Sequence, residues 1–92
     1  MKIDVFRRKI VAGTYQLTQH AKDEAASDNL DMADIESIVL TGRIEVRLTH
    51  DPRGTRYVIA GFTQDKLPAQ VVCRVLPTGK LRIITVFLKG EL

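Results

Sequence analysis

Cysteine, proline, aromatic side chains and long apolar runs are all scarce in this chain of 92 residues, which has one Cys, three Pro, three Phe, two Tyr and no Trp. A lone Cys73 excludes an intrachain disulfide, and two histidines offer no Cys/His cluster with zinc spacing. We expect no metal and no cofactor, and a reducing, cytoplasmic setting. No apolar run approaches the roughly eighteen residues of a membrane span, and the N-terminus carries Asp4 in place of a signal-length apolar stretch. Neither membrane insertion nor export is expected. Paired carboxylates and a Ser-His-Asp pattern are missing too, so ordinary hydrolase classes lack support. Thr78-Gly79-Lys80 resembles half of a phosphate loop, but the upstream glycine is absent and a strand pattern follows.

What remains is the composition of a globular protein, 45% hydrophobic and 27% charged. The length suits one domain over residues 1–92, burying roughly 60–65% of the surface its unfolded chain exposes. Charge is unevenly divided. Residues 1–42 carry five Lys/Arg against seven Asp/Glu, a balance of −2, and residues 43–92 carry nine against four, a balance of +5. A basic half favours phosphates, nucleic acid or an acidic protein partner, and it also serves simply to solubilise strand ends.

The pattern along the chain predicts helices first and strands second. Residues 4–12 run from Asp4 as N-cap to Gly13, with Phe6 and Ile10 on one face, a short amphipathic N-terminal helix within residues 1–14. Tyr15-Gln16-Leu17 predicts a short edge strand, and Thr18 caps a small helix over about 19–27, whose Ala21, Ala25 and Ala26 permit close packing. Asp31 with Asp34 forms a weak capping box for a helix over about 32–41, with Met32, Ile35, Ile38 and Val39 as its buried stripe. Ile44, Val46 and Leu48 alternate with charged residues as a half-buried strand. Asp51-Pro52-Arg53-Gly54 predicts a type I turn into a strand over 55–63. Strands follow over 69–76 and 80–88 around Pro77-Thr78-Gly79, and the last two are apolar on both sides of the pleat, as central strands are. In strand 80–88, strict alternation sets Leu81, Ile83, Thr85 and Phe87 against Lys80, Arg82, Ile84, Val86 and Leu88. The fold class is therefore α+β: two layers, with N-terminal helices on a four- to five-stranded, mainly antiparallel β-meander.

Chemistry has few candidates. His20 falls in the first turn of its helix, where the dipole opposes an added positive charge and an imidazole can act as a base or pin the helix to the sheet. Tyr57 beside Arg53 and Arg56 is either core packing or a phenol placed for proton transfer. Arg56, Arg74, Lys80 and Arg82 fall on a mixed face among aliphatic residues. His50 reads as a surface residue.

Four segments carry a family resemblance through their order and spacing: Leu17-Thr18-Gln19-His20-Ala21, Asp34-Ile35-Glu36, Arg56-Tyr57-Val58-Ile59-Ala60-Gly61 and Ile83-Ile84-Thr85-Val86-Phe87. Over residues 15–88 the chain resembles the bacterial family called domain of unknown function 4258. That family is similar in size and layout to the small RelE/ParE-type toxins, whose ribonuclease members cut messenger RNA without metal and are neutralised by a companion antitoxin. The resemblance implies His20 as the base, Tyr57 in proton transfer, and Arg56, Arg74, Lys80 and Arg82 on phosphate. Relatives commonly carry arginines in the helix after the His-Ala pair, where this chain has Glu24 and Asp28-Asn29. The implied partners are RNA and an antitoxin. A reading of a different class makes the chain a non-catalytic module whose second sheet face docks a protein or a second copy of itself, a homo-oligomer.

Overall fold

The computed structural model describes residues 1–89, which form helices α1 (Ile3–Ala12), α2 (Gln19–Ser27) and α3 (Met32–Leu40) and strands β1 (Tyr15–Leu17), β2 (Arg43–Leu48), β3 (Arg56–Phe62), β4 (Pro68–Val75) and β5 (Leu81–Leu88). The sheet order is β1-β5-β4-β3-β2. The meander β2 to β5 is antiparallel, and β1 lies parallel to β5, so the sheet is mixed. The α+β expectation holds, and β4 and β5 lie inside the sheet as their apolar composition predicted.

The caps explain most of the boundaries. The Thr18 hydroxyl accepts the Ala21 N–H, and Asp31 with Asp34 completes a reciprocal capping box. α1 differs: Lys2 is its N-cap residue without a side-chain bond, and Asp4 lies inside the first turn, where its charge meets the helix dipole. Gly13 closes the helix in the left-handed region at φ 72°.

One face of the sheet carries the core. Ile59, Val71, Cys73, Leu81, Ile83 and Val86 pack beneath Phe6 and Ile10 of α1, Ala21 and Ala25 of α2, and Ile35, Ile38 and Val39 of α3. Met32 does not join them. It is exposed, while its neighbour Asp34 is buried, accepting the Gln64 backbone N–H at 3.1 Å and its side-chain amide at 3.2 Å. Burial raises the Asp34 pKa, yet these bonds and those from Asp31 hold it below the usual carboxylate value. The Phe6 and Tyr57 rings meet tilted, centroids 5.0 Å apart, a pair worth about 0.5–1.5 kcal/mol beyond the area it buries. The Cys73 thiol is buried, which pushes its pKa up to about 12.

Bulges in two strands set which side chains face out: in β2 the register shifts between Ile44 and Val46, so Ile44 packs on the core while Val46 and Leu48 face the open side, against the single half-buried face expected for all three. β5 holds one extra residue: Val72 pairs with Thr85 but Cys73 with Ile83, leaving Ile84 as a bulge. The strict alternation expected for residues 80–88 therefore fails. Leu81, Ile83 and Val86 face the helices, and Arg82, Thr85 and Phe87 face the open side. β1 pairs only with Leu81–Ile83, so the rest of β5 has no strand beside it there. α2 covers that edge. The Thr18 backbone N–H donates to the Ile83 carbonyl and its hydroxyl to the Ile84 carbonyl, while the Glu24 carboxylate accepts the Val86 N–H at 3.0 Å.

Replacing Glu24 by Ala removes the acceptor for that N–H; stability will fall by about 1 kcal/mol and hydrogen exchange at the Val86 amide will accelerate. Gly61 lies where α3 crosses β3, and a Cβ there would stand 2.0 Å from the Ile38 carbonyl oxygen. Because backbone cannot step aside as a rotamer can, Gly61→Ala will cost about 3 kcal/mol, read as a lower urea midpoint at unchanged m-value.

Candidate anion-binding site

On the open face, the β4–β5 register sets Arg74 directly opposite Arg82. Like charges in facing positions are destabilising. Arg56 joins the same face, because Tyr57 pairs antiparallel with Cys73, which sets its predecessor opposite Arg74. Three guanidinium groups from three adjacent strands thus converge, and Arg53 from the β2–β3 connection adds a fourth. Together with Thr18 and Ile84 they line a cavity of about 140 Å³.

The counter-charge is a single carboxylate. The type I turn forms as expected, with the Gly54 N–H on the Asp51 carbonyl at 3.0 Å. The turn also aims the Asp51 side chain inward. Its Oδ1 accepts the Arg53 backbone N–H at 2.9 Å and lies 3.4 Å from Arg53 Nε. Its Oδ2 accepts from Arg74 Nη2 at 3.2 Å and lies 3.1 Å from Arg56 Nε, which is not aimed at it as a hydrogen bond. Asp51 and Arg74 side chains are 7% and 9% exposed, so this is a largely desolvated pair. Four arginines against one aspartate leave a surplus of +3, and the Nε atoms of Arg56 and Arg74 are buried without a hydrogen-bond partner among the described residues. An orphaned buried donor of this kind costs about 1–3 kcal/mol.

The cavity adjoins a wider one of about 580 Å³ that shares Arg53 and Arg56 and adds Arg47, His50 and Asp51. From the sequence, His50 reads as an ordinary surface residue and Asp51 only as a turn former. The signal for both lay in their position, one turn away from a strand that begins with arginine.

The other candidates lie elsewhere. Tyr57 follows Arg56 in an extended strand and therefore points to the opposite, helix-covered face, where it is 8% exposed against Phe6. Its hydroxyl is on the other side of the sheet from the arginines. His20 is exposed on α2, with Nε2 3.3 Å from Glu24, and borders a separate depression with Asp23, Glu24 and Asp28. Lys80 is exposed in the turn before β5 and does not line the arginine cavity. Of the residues singled out from the sequence, the fold brings together Arg56, Arg74 and Arg82. Among the described residues, no group of three or more His, Cys, Asp or Glu is placed to hold a metal ion, and no helix is long and apolar enough to cross a membrane.

The open face also has an apolar part. Val46, Leu48 and Phe62 are 41%, 39% and 49% exposed beside the half-buried Val58, Val72 and Phe87.

The family model described as Domain of unknown function (DUF4258) matches residues 17–88, the span from the end of β1 to the end of β5. No curated protein and no solved structure matches the chain.

The hydrogen bond from the Arg53 backbone, with the Arg53 and Arg74 charges, holds the Asp51 carboxyl below its usual value against the opposing effect of burial. Its folded pKa is depressed, so its contribution to stability is complete above the unfolded carboxylate pKa of about 4 and is lost as pH falls through the folded value. Carboxyl carbon-13 NMR will follow this low titration. Arg53→Ala keeps the backbone donor and will move the midpoint only part of the way back.

Proposed function

The chain belongs to the DUF4258 family, and we propose that its arginine face binds RNA phosphates and cleaves the strand without metal, in the manner of the RelE-type toxins, with a companion antitoxin as its partner. The observation that carries this reading is the convergence of Arg53, Arg56, Arg74 and Arg82 on one cavity against one carboxylate. A polyanion is the ligand that such a surplus selects, and its affinity falls with salt.

Cleavage of this class needs a base for the ribose 2′-hydroxyl and cations for the charge that builds on phosphorus. His50 suits the first role better than His20, because it borders the cavity shared by Arg53 and Arg56, whereas His20 stands among carboxylates that repel RNA. His50 takes the 2′-hydroxyl proton, the 2′-oxygen attacks phosphorus, and the 5′-oxygen leaves and takes a proton from the medium. The products are a 2′,3′-cyclic phosphate and a 5′-hydroxyl. Arg53 and Arg56, which border both cavities, stabilise the pentacoordinate phosphorane beside His50, and Arg74 and Arg82 hold a neighbouring phosphate; Tyr57 and Lys80 have no part in this scheme.

The exposed apolar strip of Val46, Leu48 and Phe62 favours a second reading, a docking module for a protein or for a second copy. Induced expression in a bacterium separates the two. The wild type will arrest growth and deplete RNA; Arg74→Gln and His50→Gln will each restore growth by at least about a hundredfold in surviving colonies, the scale of losing one acid–base or charge-stabilising group. His20→Ala will remain toxic. Normal growth with intact RNA under wild-type expression overturns the ribonuclease reading, and a stable dimer in that case supports the docking module.

A further inference from the structure

The two adjoining cavities differ in a way that bears on which phosphate the site takes. The smaller, about 140 Å³ against about 580 Å³, has the buried Arg74 in its lining. Arg74, its side chain 9% exposed, and Ile84 belong to the sheet; Arg53 and Arg56 stand on the side of the β2–β3 turn; Thr18, the N-cap of α2, brings the positive end of that helix dipole to the rim. A strand passing through on both sides of an internal phosphodiester needs an open-ended groove. A strand that ends in phosphate needs only a recess, with room for its first nucleoside next to it. The wider cavity, which shares Arg53 and Arg56, supplies that room.

Charge points the same way. The +3 surplus exceeds what a singly charged diester neutralises, whereas a phosphomonoester brings about −1.5 to −2 at neutral pH and three strong acceptor oxygens. Arg74 Nε is buried without an acceptor among the described residues, and Arg56 Nε touches Asp51 without a hydrogen bond. Those two atoms are closed to solvent, and the donors that a tetrahedral oxyanion can reach belong to the half-buried to exposed guanidinium groups of Arg53, Arg56 and Arg82.

We infer that the recess between Arg53, Arg56, Arg74 and Arg82 is a terminal-phosphate pocket, holding the phosphomonoester end of an RNA strand whose nucleoside lies toward His50. The inference rests on the RNA reading above only for the strand behind the phosphate.

Calorimetric titration of the full chain tests it with short 2′-O-methyl strands of one sequence, uncleavable by 2′-oxygen attack, bearing a 5′-phosphate, a 3′-phosphate or hydroxyls at both ends, and with a nucleoside 5′-monophosphate. A phosphorylated strand will bind at least about tenfold more tightly than the hydroxyl-ended one, the scale of one charge-assisted contact. Arg74→Gln will abolish that difference. The exposed Arg82→Gln will reduce it without burdening the fold, so the test survives if the Arg74 variant does not fold. Equal binding of all three strands overturns the terminal-phosphate pocket and leaves the RNA reading standing. Tight binding of the mononucleotide with no added affinity for any strand keeps the pocket and overturns the RNA reading. Binding of no probe overturns both.

Discussion

The carboxylate of Asp51 is the contact on which the open face depends. Arg74 stands opposite Arg82 on one side and Arg56 on the other, an arrangement whose self-repulsion works against the sheet. A buried guanidinium is tolerated only with a partner in good geometry. Asp51 provides it because the turn itself fixes the carboxylate: Pro52 presets the backbone, Gly54 takes the positive φ of 118°, and the Arg53 N–H holds Oδ1. The causal order runs from a four-residue turn to a buried charge pair, and from that pair to a cavity with cations to spare.

Local chemistry was the legible part of this sequence. Caps at Thr18 and Asp31, the Asp51 turn, the strand spans and the central placing of β4 and β5 all follow from residue types at short range. Long-range pairing was not legible. The bulge at Ile84 reverses the phase of β5 after Ile83, and no residue type there announces it, since Ile84, Thr85 and Val86 are all good strand formers. Spacing puts Met32 in the core stripe, but its place at the first turn of α3 lies beyond the edge of the packed stripe, where Asp34 is instead needed by Gln64. The parallel pairing of β1 follows from a contact between residues far apart in the chain, and no periodicity encodes it.

The candidate site divides along the same line. That Arg56, Arg74 and Arg82 share a mixed face follows from alternation, and the fold agrees. Tyr57 was misplaced beside Arg56 by adjacency in the chain, although adjacent residues of a strand point to opposite faces. His50 and Asp51 were hidden by their ordinary roles as turn residues. Glu24, which had stood out only as the wrong charge for the family resemblance, acts on the backbone of β5: it accepts the N–H that no neighbouring strand can reach.

The single thiol of the chain ties these two faces together. Cys73 sits in β4 immediately before Arg74, its sulfur in the core and its neighbour's guanidinium in the arginine cavity. The sulfur lies buried between the sheet and the helices, so a reagent reaches it only when that core opens, and burial raises its pKa and keeps the thiol unreactive meanwhile. Its modification rate is therefore a clock for the opening of the core. Any anion that binds only the folded arginine face stabilises the native state by mass action and slows that clock.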